Sequence, residues 1–127
     1  MAVKADPGGF PQRKCSEVRW VTASQMRDVQ RIAQEEFGLD ILQLTENAGR
    51  SAATLALAML GGKGRGQRVV ILCGNGNKGA AGLATARHLA NWNVRVDPIV
   101  SGVEEDAGFM VRRQLQILRQ AGIIEPG

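Results

Sequence analysis

Six consecutive residues have the spacing of a phosphate-binding loop. The segment Gly74-Asn75-Gly76-Asn77-Lys78-Gly79 has the pattern G-x-G-x-x-G and lies between an apolar run, residues 68–73, and a helical pattern. Glycines at these positions let the backbone approach a diphosphate, and free N–H groups at the start of the following helix bind the anion. The alternative is a tight strand-to-helix connection that needs glycine for its geometry alone. The context favours phosphate or nucleotide binding.

Other residues that could do chemistry give weaker signals. A ribose-binding acid is expected about 20 residues after such a loop. Asp97 follows Gly79 by 18 residues but lies inside an apolar run, so the match is loose. His88 has no cysteine or acid close to it in the sequence, and we interpret it as structural. The acidic residues 104–106 are typical of a helix start with exposed charge.

Two helices are predicted before the loop. Thr22 with Gln25 forms a capping-box pattern, and an apolar stripe follows it to a helix stop at Gly38. Asp40 is the predicted cap of a second helix that ends at Gly61. The second helix is apolar around much of its circumference, so we expect it to be mostly buried. The stripe of the first helix comprises Met26, Val29, Ile32, Ala33 and Phe37.

Strand and helix patterns alternate from residue 68 onward. The runs RVVILC and NVRVDPIV predict strands, with a helix over residues 79–91 between them, and Pro98 favours an edge or strand-end position in the second. A last helix is predicted from the acidic residues 104–106 to Gly122. Residues 123–127 are a candidate start of a third strand. The predicted apolar side of the last helix comprises Phe109, Val111, Leu115, Ile117 and Leu118.

This order of elements predicts an α/β fold. A strand, a helix and a second strand imply a right-handed crossover and a parallel sheet. Two strands and a candidate third make a thin sheet for this class. We therefore expect residues 19–127 to be part of a larger domain, preceded by a flexible tail at residues 1–18.

Composition narrows the class of protein. The chain has 44% hydrophobic and 22% charged residues, which is typical of a soluble globular protein. We expect it to be cytoplasmic, with Cys15 and Cys73 as free thiols, because it contains no apolar run of membrane-spanning length and no recognisable secretory signal. The net charge of +4 comes from scattered basic residues, and aromatics are 4%. Nucleic-acid binding is therefore unlikely, although an RNA-associated module is one alternative.

Three motifs together resemble one family. The segments LTENAGR (44–50), CGNGNKGAAGL (73–83) and ARHL (86–89), in this order, are similar to the NAD(P)H-hydrate epimerase family, the YjeF N-terminal domain. The resemblance extends over about residues 20–122, which is about half of a complete family domain. It implies a Rossmann-like three-layer α/β/α fold with a parallel sheet. It also implies a homodimer that binds a potassium ion and interconverts the two epimers of hydrated NADH and NADPH.

The resemblance also assigns expected roles to the loop. It implies substrate contacts at Gly74 and Gly76 and along residues 77–81, which are Asn77, Lys78, Gly79, Ala80 and Ala81. Lys78 stands where the family has a potassium-ligating asparagine, and Ala81 stands where it has the aspartate expected to act as acid and base. Alanine cannot transfer a proton. Glu46 and Asn47 match the family's E-N-A-G and either line the site or brace the loop.

These substitutions leave two functional hypotheses. The chain is either an epimerase that uses a substitute acid, with Glu46 as one candidate, or a catalytically silent binding or dimerisation module. The family's other potassium ligands have no counterpart in this sequence, so no cofactor is assigned. The Lys78 ammonium either replaces the bound cation or faces solvent or a phosphate.

Overall fold

The computed structural model describes residues 13–126. The first twelve residues, which are most of the predicted tail, and Gly127 lie outside the described part. Residues 13–18 are exposed and contain a short 3-10 helix, Cys15–Glu17. The division into a tail and a domain therefore stays a prediction.

Helices α1 (Ala23–Glu35) and α2 (Ile41–Met59) begin where their caps predict. Thr22 Oγ1 accepts a hydrogen bond from the Gln25 N–H, and the Gln25 side chain accepts one from the Thr22 N–H. Asp40 accepts from the N–H of Leu42 at 2.7 Å in the same way. Each cap satisfies N–H groups that have no partner inside the helix.

The second half of the chain has the predicted alternation. Strands β1 (Arg68–Cys73) and β2 (Arg95–Val100) are parallel neighbours, and helix α3 (Asn77–Asn91) connects them. Helix α4 (Phe109–Gln120) follows β2. The structure is therefore an α/β fold with a small parallel sheet, consistent with a truncated Rossmann-like fold, and the predicted class is confirmed.

Helices α2, α3 and α4 cover one face of this sheet. The covered face presents Ile71, Cys73 and Val100, which pack with Leu83 of α3 and Leu118 of α4. Because strand side chains alternate between faces, residues 70, 72 and 99 lie on the opposite face. In the described part of the chain that face is exposed.

The prediction that α2 is mostly buried was wrong. Its buried residues are Thr45, Gly49 and Ala53, which recur at every fourth position and form one narrow stripe against α3. Leu55 and Met59 lie outside this stripe and are exposed. Small residues allow two helices to approach closely, so a narrow stripe suffices for the contact.

The last helix begins later than predicted. Residues Glu104–Asp106 form a separate 3-10 turn, and Ala107 is extended with φ −71° and ψ 146°. The helix cannot run through this point because the Gly108 N–H donates to the Asn75 carbonyl at 2.8 Å. Phe109 was predicted to be a core residue, but it is 67% exposed. Gln114 takes a fully buried position in this helix instead.

Residues 123–126 do not begin a strand. Ile123 and Ile124 are half-buried against the core, and their N–H groups donate to the Leu118 carbonyl. This backbone thus continues the turn after α4 rather than pairing with β2. None of the helices within residues 13–126 is long and apolar enough to cross a membrane.

Candidate functional site

The glycine loop joins the end of β1 to the start of α3. Gly76 precedes the first helical residue with φ −110° and ψ −168°, and no side chain caps it. Helix α4 begins in the same way after Gly108, without a side-chain cap. The 2.8 Å hydrogen bond from Gly108 to Asn75 brings the two helix starts together. The positive ends of two helix dipoles therefore converge at the carboxyl ends of the strands.

Packing requires some of the loop glycines but not others. A Cβ atom on Gly79 would lie 1.7 Å from the Gly74 carbonyl oxygen, and one on Gly82 would lie 2.8 Å from the Cys73 Sγ. Packing therefore excludes a side chain at both positions. Gly74 and Gly76 have no neighbouring atom within 4 Å of such a Cβ, and neither has a positive φ. The fold of this chain does not require glycine at those two positions.

Charged groups of both signs lie around the loop, because the acidic turn Glu104–Asp106 directly precedes the start of α4. Lys78 is exposed in the first turn of α3, and the first turns of α3 and α4 contain no acidic residue. The nearby acid Glu104 accepts hydrogen bonds from Arg119 at 2.7 and 2.5 Å. These bonds hold the pKa of Glu104 below its ordinary value of 4.5. Its charge is therefore neutralised by an arginine of its own chain.

Ala80 and Ala81 are placed differently from each other. The Ala80 side chain is fully buried in the core beside Leu83, so only its backbone is available to the site. Ala81 is half-buried, and its carbonyl oxygen accepts a hydrogen bond from Thr85 Oγ1 at 2.8 Å. Neither side chain can transfer a proton.

The loop does not fit a bound potassium ion through the side chain at position 78. The Lys78 ammonium is a donor with a positive charge and offers no lone pair to a cation. In residues 13–126, no group of three or more His, Cys, Asp or Glu side chains could hold a metal ion.

Glu46 contacts α3 rather than the loop. Its Oε1 accepts a hydrogen bond from Arg87 and lies 2.8 Å from His88 Nε2, within hydrogen-bonding distance. The His88 ring also lies 6.0 Å from the Trp92 ring. Asn47, the next residue, is exposed. The sequence did not reveal this contact because Arg87 and His88 lie 41 and 42 residues after Glu46.

Gly49 of the LTENAGR segment also contacts α3. A Cβ atom on Gly49 would lie 2.6 Å from the Ala84 Cβ, and the Gly49 carbonyl accepts a hydrogen bond from Thr85 Oγ1 at 3.2 Å. This segment therefore fixes the position of α3, whose first turn forms part of the loop.

Asp97 lies in the middle of β2, away from the strand's carboxyl end. Its carboxylate accepts a hydrogen bond from Arg68 at 2.5 Å, which lowers the pKa of Asp97 below its usual range. In the register, Asp97 pairs with Val70. This position and this partner do not suit a ribose-binding acid, which is expected at the strand end.

Two further features lie apart from the loop chemistry. Burial raises the pKa of the Cys73 thiol, so Cys73 is a packing residue, whereas Cys15 is exposed. An open groove of about 800 Å³ runs along β2 and residues 122–126. We place the candidate site at the loop because the two helix starts meet there, whereas the groove lies at the free edge of β2.

The chain is similar in sequence to several known proteins. The chain is 40% identical to an NAD(P)H-hydrate epimerase of Dehalogenimonas lykanthroporepellens over 102 residues, which are 80% of this chain and 41% of that protein. It is 33% identical to a bifunctional NAD(P)H-hydrate repair enzyme of Moorella thermoacetica over 80% of this chain and 19% of the relative. An enhancer of mRNA-decapping protein 3 of Xenopus laevis is 40% identical over 49% of this chain and 14% of its own length.

The chain spans less than half the length of these curated relatives. A family model described as YjeF-related protein N-terminus matches residues 41–124, which include both the glycine loop and the LTENAGR segment of α2. This match covers well over half of the chain, and the chain therefore belongs to the family of YjeF-related protein N-termini.

Proposed function

We propose that the chain is an NAD(P)H-hydrate epimerase-like domain that binds an NAD(P)H-type nucleotide at the loop of residues 74–82 and lacks the acid for efficient epimerisation. Its relatives named as NAD(P)H-hydrate epimerases support the ligand class. The two uncapped helix starts and the exposed Lys78 support binding of the diphosphate.

The observation that carries the proposal is the free space at Gly74 and Gly76. Neither glycine is required by a positive φ or by a neighbouring atom of the chain. A ligand that approaches the backbone closely explains the absence of a side chain at both positions. By contrast, Gly79 is required by the loop's own packing.

The same site supports weak catalysis at most. The loop has no carboxylate at position 81, and Glu46 is held by Arg87 and His88. A substitute acid at Glu46 would have to leave two hydrogen-bonding partners before it could serve a substrate. Binding without turnover is therefore the expected behaviour of the isolated chain.

Binding is tested by calorimetric titration of the full chain with NADH and with hydrated NADH. Gly74→Ala and Gly76→Ala are expected to weaken binding about tenfold or more while leaving the urea unfolding midpoint unchanged, because the added methyl groups meet only ligand. Absence of binding in the wild-type chain would contradict the proposal. If both variants bind as tightly as the wild-type chain, then the nucleotide does not bind at this loop.

Catalysis is tested by following epimer exchange of hydrated NADH. The wild-type chain is expected to bind without measurable exchange. Ala81→Asp combined with Lys78→Asn restores the family's two residues, and is expected to create exchange if the rest of the site is complete. Lys78→Asn alone is the matched control, since it adds no acid. Epimer exchange by the wild-type chain would instead support the hypothesis that the chain is an epimerase that uses a substitute acid.

A further inference from the structure

The backbone of the glycine loop leaves its hydrogen-bond donors free and uses its acceptors within the chain. Among the residues that the structure describes, no acceptor takes a hydrogen bond from the backbone N–H groups of residues 75–79. Three carbonyls around the loop each accept an N–H group of this chain at 2.8–3.0 Å. They belong to Cys73, Asn75 and Gly76. The backbone therefore offers donors to a ligand, as an anion requires and a cation does not.

The side chains of the loop are equally poor ligands for potassium, the ion that the family resemblance implies. Potassium is bound by oxygen atoms such as backbone carbonyls. Lys78 ends in a positively charged donor, and the Ala80 methyl group is buried in the core. The loop retains the side-chain amide oxygens of Asn75 and Asn77. A cation bound by these oxygens would share the loop with the Lys78 ammonium, which repels it.

Lys78 lies at an unfavourable position in α3. It is the second residue of the helix, where the positive end of the helix dipole repels a cation. Although Glu105 and Asp106 lie in the turn before α4, Lys78 forms no ion pair with any carboxylate in the described part of the chain. Residues that break a local rule without compensation occur at functional sites.

We infer, on the basis of the proposed function, that the Lys78 ammonium supplies the positive charge of this site and that the loop binds its nucleotide without a potassium ion. The charge is then a covalent part of the chain and cannot dissociate from it. Because no second binding equilibrium is coupled to the nucleotide, the affinity does not depend on which monovalent cation is present.

A lysine that only faces solvent predicts a different result. In both cases, Lys78→Met removes a charge that the helix dipole repels, so the urea unfolding midpoint should rise slightly. If Lys78 only faces solvent, the same variant binds NADH as the wild-type chain does. If Lys78 contacts the diphosphate, the variant is more stable but binds more weakly. This opposite change in stability and affinity distinguishes the two cases.

The first test is calorimetric titration of the full chain with NADH in potassium, sodium and tetramethylammonium chloride. The three salts are compared at equal ionic strength, so that screening is the same in each. Equal dissociation constants are expected. A dissociation constant about tenfold lower in potassium would overturn cation independence alone. Absence of NADH binding in all three salts would contradict the proposed function as well.

The second test compares variants in the same titration. Lys78→Met should raise the dissociation constant for NADH about tenfold or more in every salt, because it removes a charged hydrogen-bond donor. Lys78→Arg keeps the charge and should retain most of the affinity. Lys63→Met is the matched control, since Lys63 is also exposed but precedes β1, at the opposite ends of the strands.

Two results with these variants would overturn the role of Lys78. One is NADH binding by Lys78→Met that is as tight as that of the wild-type chain. The other is an equal loss of affinity in Lys63→Met, because the net charge of the chain rather than the position of Lys78 would then determine binding.

Discussion

The four α-helices within residues 13–126 begin in two different ways. Helices α1 and α2 begin with Thr22 and Asp40, and each has a complete capping box within its own first turn. Helices α3 and α4 begin after Gly76 and Gly108, and no side chain caps either of them. The two uncapped starts are joined by the hydrogen bond from Gly108 to Asn75.

This difference coincides with the position of the candidate site. At a capped end a side chain already accepts from one of the free N–H groups and competes with any other acceptor. An uncapped end in the same molecule leaves those groups to water or to a ligand. Both uncapped ends lie at one edge of the sheet, which is where we place the candidate site.

The largest expected effect comes from the loop's own packing. Gly79→Ala would place a Cβ 1.7 Å from the Gly74 carbonyl oxygen, so the backbone must shift, and the free energy of unfolding should fall by about 3 kcal/mol or more. Gly74→Ala is the matched control and should have little effect. Urea unfolding measures both. Equal stability of the two variants would show that the loop is not packed as described.

A cap added at α3 should change binding more than stability. In Gly76→Asp, the new carboxylate would occupy the free N–H groups, repel an anion and weaken NADH binding about tenfold. Gly76→Asn caps the helix without a charge and should weaken binding less. Calorimetry with NADH compares them. If both variants bind like the wild-type chain, then the helix start is not the anion site.

Removal of a cap should affect stability differently in α1 and in α2, because only α2 has buried residues. Asp40→Ala should lower the free energy of unfolding by about 1 kcal/mol, because α2 packs against α3. Thr22→Ala should leave the urea midpoint unchanged, since α1 has no buried residue, and should reduce only the hydrogen-exchange protection of α1. A shift of the midpoint in Thr22→Ala would reveal packing of α1 that the structure lacks.

The smallest expected effect is a pH dependence at the start of α4. Arg119 lowers the pKa of Glu104 through its hydrogen bonds, so the stabilisation is complete above the ordinary value of 4.5 and is lost as the pH falls through the lowered folded value. Glu104→Gln should therefore be less stable than the wild-type chain at neutral pH and should approach it on acidification. Urea midpoints between pH 3 and pH 7 test this, with Glu105→Gln as control.

Local patterns predicted the elements whose causes lie within a few residues. The caps at Thr22 and Asp40, the two strands and the glycine loop all appear where the sequence indicated. The start of α4 did not, because a contact with Asn75, 33 residues earlier, separates it from the acidic turn before it. Phe109 is exposed for the same reason, since it begins the helix rather than continuing one.

By itself, the sequence determined the α/β order, the loop with its glycines and the absence of an acid at position 81. The tertiary structure alone decided which glycines are needed for packing, which residues hold Glu46 and Asp97, and which apolar side chains are left exposed. The physical reason is the range of the interactions. Caps and turns form between near neighbours in the chain, whereas ion pairs and close helix contacts depend on how distant segments meet.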